Sequence, residues 1–295
     1  MSPAGETIGL IAGSGRFPFL VAQEARRLGQ RVFAVGLAGV TDGALAGAVD
    51  ELQVFKLGQV SAPLAALQRA GVRRAVLAGK VQHVSVFGGI LPDLRAVRIL
   101  AGLKDRRTDT ILAAVVEEFR KEGIEIISSA THLAHLLAVP GCMSRRAPTR
   151  EESSDIEFGW RAAKALAGVD IGQSVVVRDR TVVAAEAMEG TDAALIRAGE
   201  LVRSRAGSGK TALVLVKVAK PRQDFRFDLP VLGLDTLKTM EAAGATAVAM
   251  EAGKTLLFDK EAFLQTADRM GLAVVGVEDG RSGAGGAPRD AGRST

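Results

Sequence analysis

Residues 8–28 read Ile-Gly-Leu-Ile-Ala-Gly-Ser-Gly-Arg-Phe-Pro-Phe-Leu-Val-Ala-Gln-Glu-Ala-Arg-Arg-Leu. Ile8 to Ala12 is a short apolar run with the length of a buried strand. Gly13-Ser14-Gly15 is a tight turn, and Phe17 to Leu28 repeats its apolar positions with helical spacing. A strand that enters a helix through a glycine turn opens a strand–helix–strand unit. The pattern recurs downstream. Arg31–Gly36, Leu52–Phe55, Ala75–Ala78 and Ile124–Ser128 read as strands, and Leu64–Ala70, Leu94–Leu103 and Thr110–Lys121 as helices. Such alternation predicts the α/β class, with a Rossmann-like parallel-sheet domain over residues 1–138 and helices on both sheet faces.

Val139–Arg150 contains Pro140, Gly141 and Pro148 and reads as a linker over residues 139–150. A second, distinct α/β domain is expected over 151–279. Its helices are Glu152–Leu166, Thr191–Arg205, Asp235–Ala243 and Lys260–Met270. Ser174–Arg178 and Thr181–Ala187 read as paired strands joined by a two-residue turn at Asp179-Arg180. Thr211–Val218, Thr246–Met250, Thr255–Phe258 and Ala273–Val277 complete the strands. Residues 280–295 are rich in Gly, Ser, Ala and Arg and read as a disordered tail.

A chain of 295 residues, 47% hydrophobic, has room for two such cores. Its eleven Phe, one Trp and no Tyr supply little for stacking single-stranded nucleic acid. No basic helix or aromatic face points to nucleic acid either. The net charge of +5 favours anionic partners such as phosphates, nucleotides or an acidic membrane surface. Cys142 is the single cysteine, which rules out an intrachain disulfide and suits a reducing compartment. Met1–Thr7 lacks the basic and apolar regions of a signal peptide. No run reaches the roughly 18–20 apolar residues of a membrane span. The expectation is a cytoplasmic protein, soluble or peripheral on a membrane.

The chemistry-bearing stretch is Lys217–Pro230. If the segment after Pro221 is extended, Asp224, Arg226 and Asp228 share one face, and Phe225, Phe227 and Leu229 the other. Two carboxylates around a guanidinium can hold a hard cation such as Mg²⁺ and grip a phosphate. A solvated, salt-bridged edge strand would look the same. Lys217 and Lys220 arrive just upstream. Gly13-Ser14-Gly15 offers backbone amides to an anion at a helix N-terminus, or else is a turn with no ligand. It is no dinucleotide fingerprint, because Pro18 stands where the third glycine belongs. Lys80 sits after the fourth strand, at the same carboxyl-end rim where α/β sheets bind ligands.

Thr191 is a good N-cap and Asp192 suits a first helical turn. Capping leaves Glu186 and Glu189 unexplained, and these could add oxygen ligands to a divalent cation. Gly207–Thr211 imitates a phosphate loop, yet a helix precedes it and a strand follows, the reverse of what such a loop requires. His132 and His135 stand three apart on a predicted helix without a third ligand, so a core or surface role is expected of them.

Read in order, these residues resemble a known family. The series is Ile11–Pro18, Pro148-Thr149, Asp155-Ile156, Gly159, Asp170–Gln173, Glu186, Glu189–Asp192, Lys217, Lys220-Pro221, Gln223-Asp224, Arg226, Asp228–Pro230, Gly233 and Thr236. It is similar to the two-domain UDP-2,3-diacylglucosamine pyrophosphatases of lipid A biosynthesis, the LpxI type, over about residues 7–278. The resemblance implies a Mg²⁺-dependent hydrolase that cleaves the diphosphate of UDP-2,3-diacylglucosamine to UMP and 2,3-diacylglucosamine 1-phosphate, lipid X. It implies domains that close around the substrate and water attack at the phosphorus next to the sugar. The essential aspartate is assigned to Asp224, with Asp228 second. Asp224, Asp228 and Glu189 are then metal candidates. Gly13, Ser14, Gly15, Lys80, Thr191, Lys217, Lys220 and Arg226 are substrate-binding candidates. The implied partners are the lipid-linked UDP-sugar, lipid X and, transiently, the inner leaflet of the inner membrane. A homodimer is compatible with the resemblance. The competing readings are a hydrolase of another sugar nucleotide and a non-catalytic lipid- or nucleotide-binding protein.

Overall fold

The computed structural model describes residues 5–81, 92–104, 108–206, 212–221, 223–226 and 229–279. The chain forms two compact units, Met1–Ala134 with Asp224–Asp228, and His135–Gln223 with Leu229–Thr295. The fold is α/β in both.

The first unit is built on five strands: β1 (Thr7–Ala12), β2 (Arg31–Leu37), β3 (Glu51–Phe55), β4 (Arg74–Ala78) and β5 (Glu125–Ile127). They line up in the order β3-β2-β1-β4-β5, and every neighbouring pair is parallel. The flanking helices are α1 (Phe17–Arg27), α2 (Ser61–Arg69), α3 (Leu94–Ala101), α4 (Thr108–Lys121) and the single turn α5 (Ala130–Leu133). A strand buried on both faces reads as a continuous apolar run, and Val32 to Val35 are all buried. Phe33 and Val35 pack with Leu64 and Leu67 of α2 and Phe119 of α4. Asp93 caps α3. Its Oδ1 accepts from the Ala96 amide at 2.8 Å, and its Oδ2 from the Val60 and Ser61 amides at 2.9 and 2.8 Å, tying α2 to α3. Burial opposes the charge on Asp93, but the three amides outweigh it and hold the carboxyl below its ordinary range.

The second unit carries a six-stranded sheet of β6 (Gly141–Cys142), β7 (Ser174–Arg178), β8 (Thr181–Ala185), β9 (Leu213–Lys217), β11 (Ala245–Glu251) and β13 (Ala273–Val277). Their order is β6-β13-β11-β9-β7-β8. The central β13, β11 and β9 are parallel, while β6, β7 and β8 pair antiparallel. β10 (Val231–Leu232) and β12 (Leu256–Leu257) form a separate parallel pair. Period-two alternation sorts the side chains between two cores. Val176, Leu215, Val248 and Val274 face α7 (Thr191–Ala206), α8 (Leu234–Ala243) and α9 (Lys260–Arg269), burying Leu195, Leu237 and Phe263. Val175, Val177, Val214, Val216, Ala247 and Ala249 face α6 (Arg150–Gly168) through Ile156, Ala163 and Ala167. A Cβ on Gly159 would meet Val216 Cγ2 at 2.7 Å, so α6 lies on the sheet at a distance only glycine allows.

Residues 139–150, read as a linker, instead carry β6 and the start of α6. Cys142 pairs with Val275, and Gly141 with Gly276. Thr149 closes a capping box with Glu152. Asp179 and Arg180 form the expected turn, both with positive φ, at 50° and 54°. That conformation is costly for residues other than glycine. Asp155 on α6 secures it, accepting the Asp179 amide at 3.1 Å and the Arg180 amide at 2.6 Å. The phosphate-loop imitation at 207–211 lies outside the described residues, between α7 and β9. The tail at 280–295 also lies outside them. No helix among the described residues is long and apolar enough to cross a membrane.

Candidate active site

In a parallel sheet all carboxyl ends share one rim, and ligands bind where the strand order reverses. In the first unit that point lies between β1 and β4. Gly13-Ser14-Gly15 follows β1, and Gly79-Lys80 follows β4. The two loops are locked together. The Gly13 amide donates to Ala78 O at 2.7 Å, the Ser14 amide to Lys80 O at 2.8 Å, and the Lys80 amide to Ser14 O at 3.0 Å. Ser14 Oγ also donates to Lys80 O at 2.8 Å. A Cβ on Gly13 would stand 2.7 Å from Lys80 O, and one on Gly79 would stand 2.7 Å from Ser14 O. The glycines therefore serve loop-on-loop packing. The Gly13 and Ser14 amides are engaged within the protein, and the Lys80 side chain is exposed at this rim, as are Gly15 and Arg16.

Ser128 follows β5 on the same rim. Its Oγ donates to Phe225 O at 2.8 Å, which seats the Asp224–Arg226 segment at the carboxyl end of β5. The extended strand expected here is a turn. The short Asp224 side chain competes for local backbone donors. Its Oδ1 accepts the Arg226 amide at 3.1 Å and Arg226 Nε at 2.8 Å, while Oδ2 meets Arg226 Nη2. The hydrogen bonds from Arg226 hold Asp224 below the ordinary aspartate range against its partial burial. The same pairing, with Glu117 adding its field, raises Arg226. Asp228 lies outside the described residues.

His132 is buried beside Gln30, with Nε2 2.8 Å from Gln30 Oε1 and no partner for Nδ1. Burial lowers its pKa. It is a core group of the first unit. His135 belongs to the second.

In the second unit the candidates gather at the end of the sheet where β9 terminates and β7 begins. Lys217 stands opposite Ser174 in the ladder and is 5% exposed. Its Nζ donates to Thr191 Oγ1 at 2.7 Å and lies 4.0 Å from Glu186 Oε2. The Thr191 hydroxyl donates to Glu186 Oε1 at 3.1 Å. Thr191 is thus the first residue of α7, with its hydroxyl turned to a buried lysine–glutamate pair, where a helix-capping role was expected. Glu186 Oε2 is buried with no hydrogen-bond partner. Glu189 is on the surface, paired with Arg197 at 2.9 Å and accepting the Ala187 amide at 3.1 Å. Lys220 pairs with Asp170 at 2.7 Å, and Asp170 holds a positive φ of 60°.

Sequence reasoning passed over Glu251, the last residue of β11. It is 1% exposed. Its Oε2 accepts Lys164 Nζ at 2.6 Å and the Ala219 amide at 2.8 Å, and Oε1 accepts Lys254 Nζ at 2.8 Å. Its place at the end of an apolar strand, at the carboxyl rim of β11, was the available signal.

Mg²⁺ on a diphosphate needs one or two protein carboxylates, the rest of its shell being phosphate and water. Among the described residues no group of three or more His, Cys, Asp or Glu could hold a metal. Asp224 meets the lesser requirement: an ionised carboxylate, 28% exposed, at a strand-end rim.

Family models settle the ancestry. The LpxI N-terminal domain matches residues 7–136, and the LpxI C-terminal domain matches residues 139–275. A relative from Caulobacter vibrioides, UDP-2,3-diacylglucosamine pyrophosphatase LpxI, is 33% identical over 278 residues, 92% of this chain and 97% of its own.

This chain belongs to the LpxI family.

The LpxI models meet between residues 136 and 139, near the division of the two units at Ala134 and His135. Within the LpxI framework several residues of the resemblance have structural duties: Asp155 closes a turn, Thr149 caps a helix, and Gly159 admits one to the sheet.

Proposed function

We propose that this chain hydrolyses the diphosphate of UDP-2,3-diacylglucosamine, giving UMP and 2,3-diacylglucosamine 1-phosphate for lipid A synthesis, in a Mg²⁺-dependent reaction. The carrying observation is the match along nearly the whole chain to a relative named for that substrate. The structure is consistent with it. Splitting a diphosphate requires neutralisation of phosphate charge and a positioned water. Arg226 and Lys80 in the first unit, and Lys220 in the second, are cations at strand ends that can take phosphate oxygens. Lys217 adds a buried cation, and with Glu186 it fixes the Thr191 hydroxyl.

Asp224 is the proposed catalytic carboxylate. It would hold Mg²⁺, which when bound supplies charge neutralisation on the diphosphate. Asp228, in the first unit, and Glu189, in the second, are each proposed separately as an oxygen ligand for a divalent cation. Gly13, Ser14 and Gly15 shape the first rim. The protein is proposed to act in the cytoplasm, at the inner face of the inner membrane when it meets its lipid substrate, and a homodimer is compatible with this reading.

The test is substrate preference. Purified protein should release UMP from UDP-2,3-diacylglucosamine at least about 100-fold more efficiently than from UDP-N-acetylglucosamine, in kcat/KM. Equal rates on the two would point to a general sugar-nucleotide hydrolase. Tight lipid X binding without turnover would point to a binding protein.

A further inference from the structure

We infer that Glu251 is a positioning residue for the phosphate-binding lysines, acting through the backbone between them; this rests on the functional reading above. Lys217 ends β9 and Lys220 follows three residues later. Between them the Ala219 amide donates to Glu251 Oε2 at 2.8 Å. Ala219 is itself buried, and β9 and β11 are hydrogen-bonded neighbours, with Lys217 opposite Met250. The anchor for the loop is therefore the residue that follows Met250 on the adjacent strand.

Glu251 is held in turn. Lys164 of α6 reaches Oε2 at 2.6 Å, stacks over Trp160 with Nζ 5.0 Å from the ring centroid, and meets Asp279 at 3.4 Å. Lys254 reaches Oε1 at 2.8 Å. Two ammonium groups and one amide converge on one buried carboxylate, whose negative charge is thereby compensated. Each lysine has an alternative to Glu251: Lys254 is 42% exposed to water, and Lys164 has Asp279 at 3.4 Å. The Ala219 amide is different. It is a buried backbone donor, and such groups are paired almost without exception. Without Glu251 the Ala219 amide is left unpaired, and the Val218–Lys220 backbone keeps the Val218 amide on Gln173 O at 2.9 Å and the Lys220 amide on Gln223 Oε1 at 2.7 Å. Lys220 keeps its pairing with Asp170 at 2.7 Å, but on a backbone that moves more freely.

Two conservative variants separate this role from simple charge pairing. Glu251→Asp keeps the charge but is one methylene shorter. The long lysine side chains can follow it, whereas the Ala219 amide cannot. Glu251→Gln keeps the reach and an acceptor for Ala219 but removes the charge. Both are assayed on UDP-2,3-diacylglucosamine with Mg²⁺, beside amide hydrogen exchange of the peptide spanning 218–223.

For Glu251→Asp the expected result is KM raised about tenfold with kcat within about threefold, and exchange in that peptide about tenfold faster. Glu251→Gln is expected within about threefold of wild type in both readouts. If Glu251→Asp matches an active wild type, the inference falls alone. If Glu251→Gln is the impaired variant and Glu251→Asp is not, the role is charge pairing and the inference also falls. A wild type that releases no UMP overturns the functional reading itself.

Discussion

Asp224 presents both carboxylate oxygens to Arg226, so acid and guanidinium come to a ligand as one paired unit. The pair is partly exposed, at 28% and 42% of the two side chains. Such pairs contribute little to stability, about 0–1 kcal/mol. Asp224→Ala is therefore expected to fold with an unchanged melting temperature while losing at least about 100-fold in kcat. Near-wild-type turnover in that variant would remove Asp224 from the mechanism.

Glu152 gives the opposite case, a carboxylate important to the fold, bound to Thr246 at the start of β11. It is 6% exposed. Arg146 meets both its oxygens at 2.8 and 2.9 Å, and Thr246 Oγ1 donates at 2.6 Å. Burial pushes its pKa up, but Arg146, Thr246 and Thr149 together bring it below the ordinary 4.5. A group depressed on folding stabilises above its unfolded pKa, and that contribution is lost as pH falls through the folded value. Glu152→Gln should therefore cost about 1–3 kcal/mol at pH 7. The gap to wild type should narrow steadily below pH 4.5. A constant gap in urea titrations from pH 7 to pH 3 would contradict this.

At the scale of elements, what was legible was what short apolar runs and glycine turns dictate. β1, its turn and α1 lie where residues 8–28 place them, because a doubly buried strand has to be apolar throughout. The Asp179-Arg180 turn was legible because a two-residue hairpin leaves few alternatives. Strand β6 was hidden: two residues beside Pro140 have no periodicity, and their pairing with β13 is made more than 130 positions away. The turn at Asp224 was hidden for a different reason. Alternation of Asp, Phe, Arg and Phe looks like a strand, but the aspartate takes a nearby amide for itself. The position of Glu251 at a strand end was legible, but its role was not, because its partners lie 3, 32 and 87 residues away. The glycine turn after β1 was legible as a turn, while its function as a seat for the β4 loop required the geometry. Gly79 has a φ of 98° and no room for a Cβ beside Ser14 O. Gly79→Ala should destabilise the first unit by at least about 2 kcal/mol. A calorimetric change smaller than about 0.5 kcal/mol would show that the two loops can part cheaply.

At the scale of the whole molecule, the chain changes unit between Ala134 and His135, between Gln223 and Asp224, and again between Asp228 and Leu229. The short Asp224–Asp228 segment belongs with the N-terminal unit although its flanks belong with the other. Spacing along the sequence had grouped it with Lys217 and Lys220. The structure assigns the aspartate and the lysines to different units, each set at the strand ends of its own sheet. In the proposed reaction the protein uses Asp224 and a divalent cation to split the diphosphate of UDP-2,3-diacylglucosamine. The most direct test follows UMP and lipid X release by the purified wild type and by Asp224→Ala, each with Mg²⁺ and with EDTA. Turnover is expected from the wild type with Mg²⁺ only, and none above background from Asp224→Ala in either condition. Undiminished turnover in EDTA, or no turnover by folded wild-type protein with any divalent ion, would contradict it.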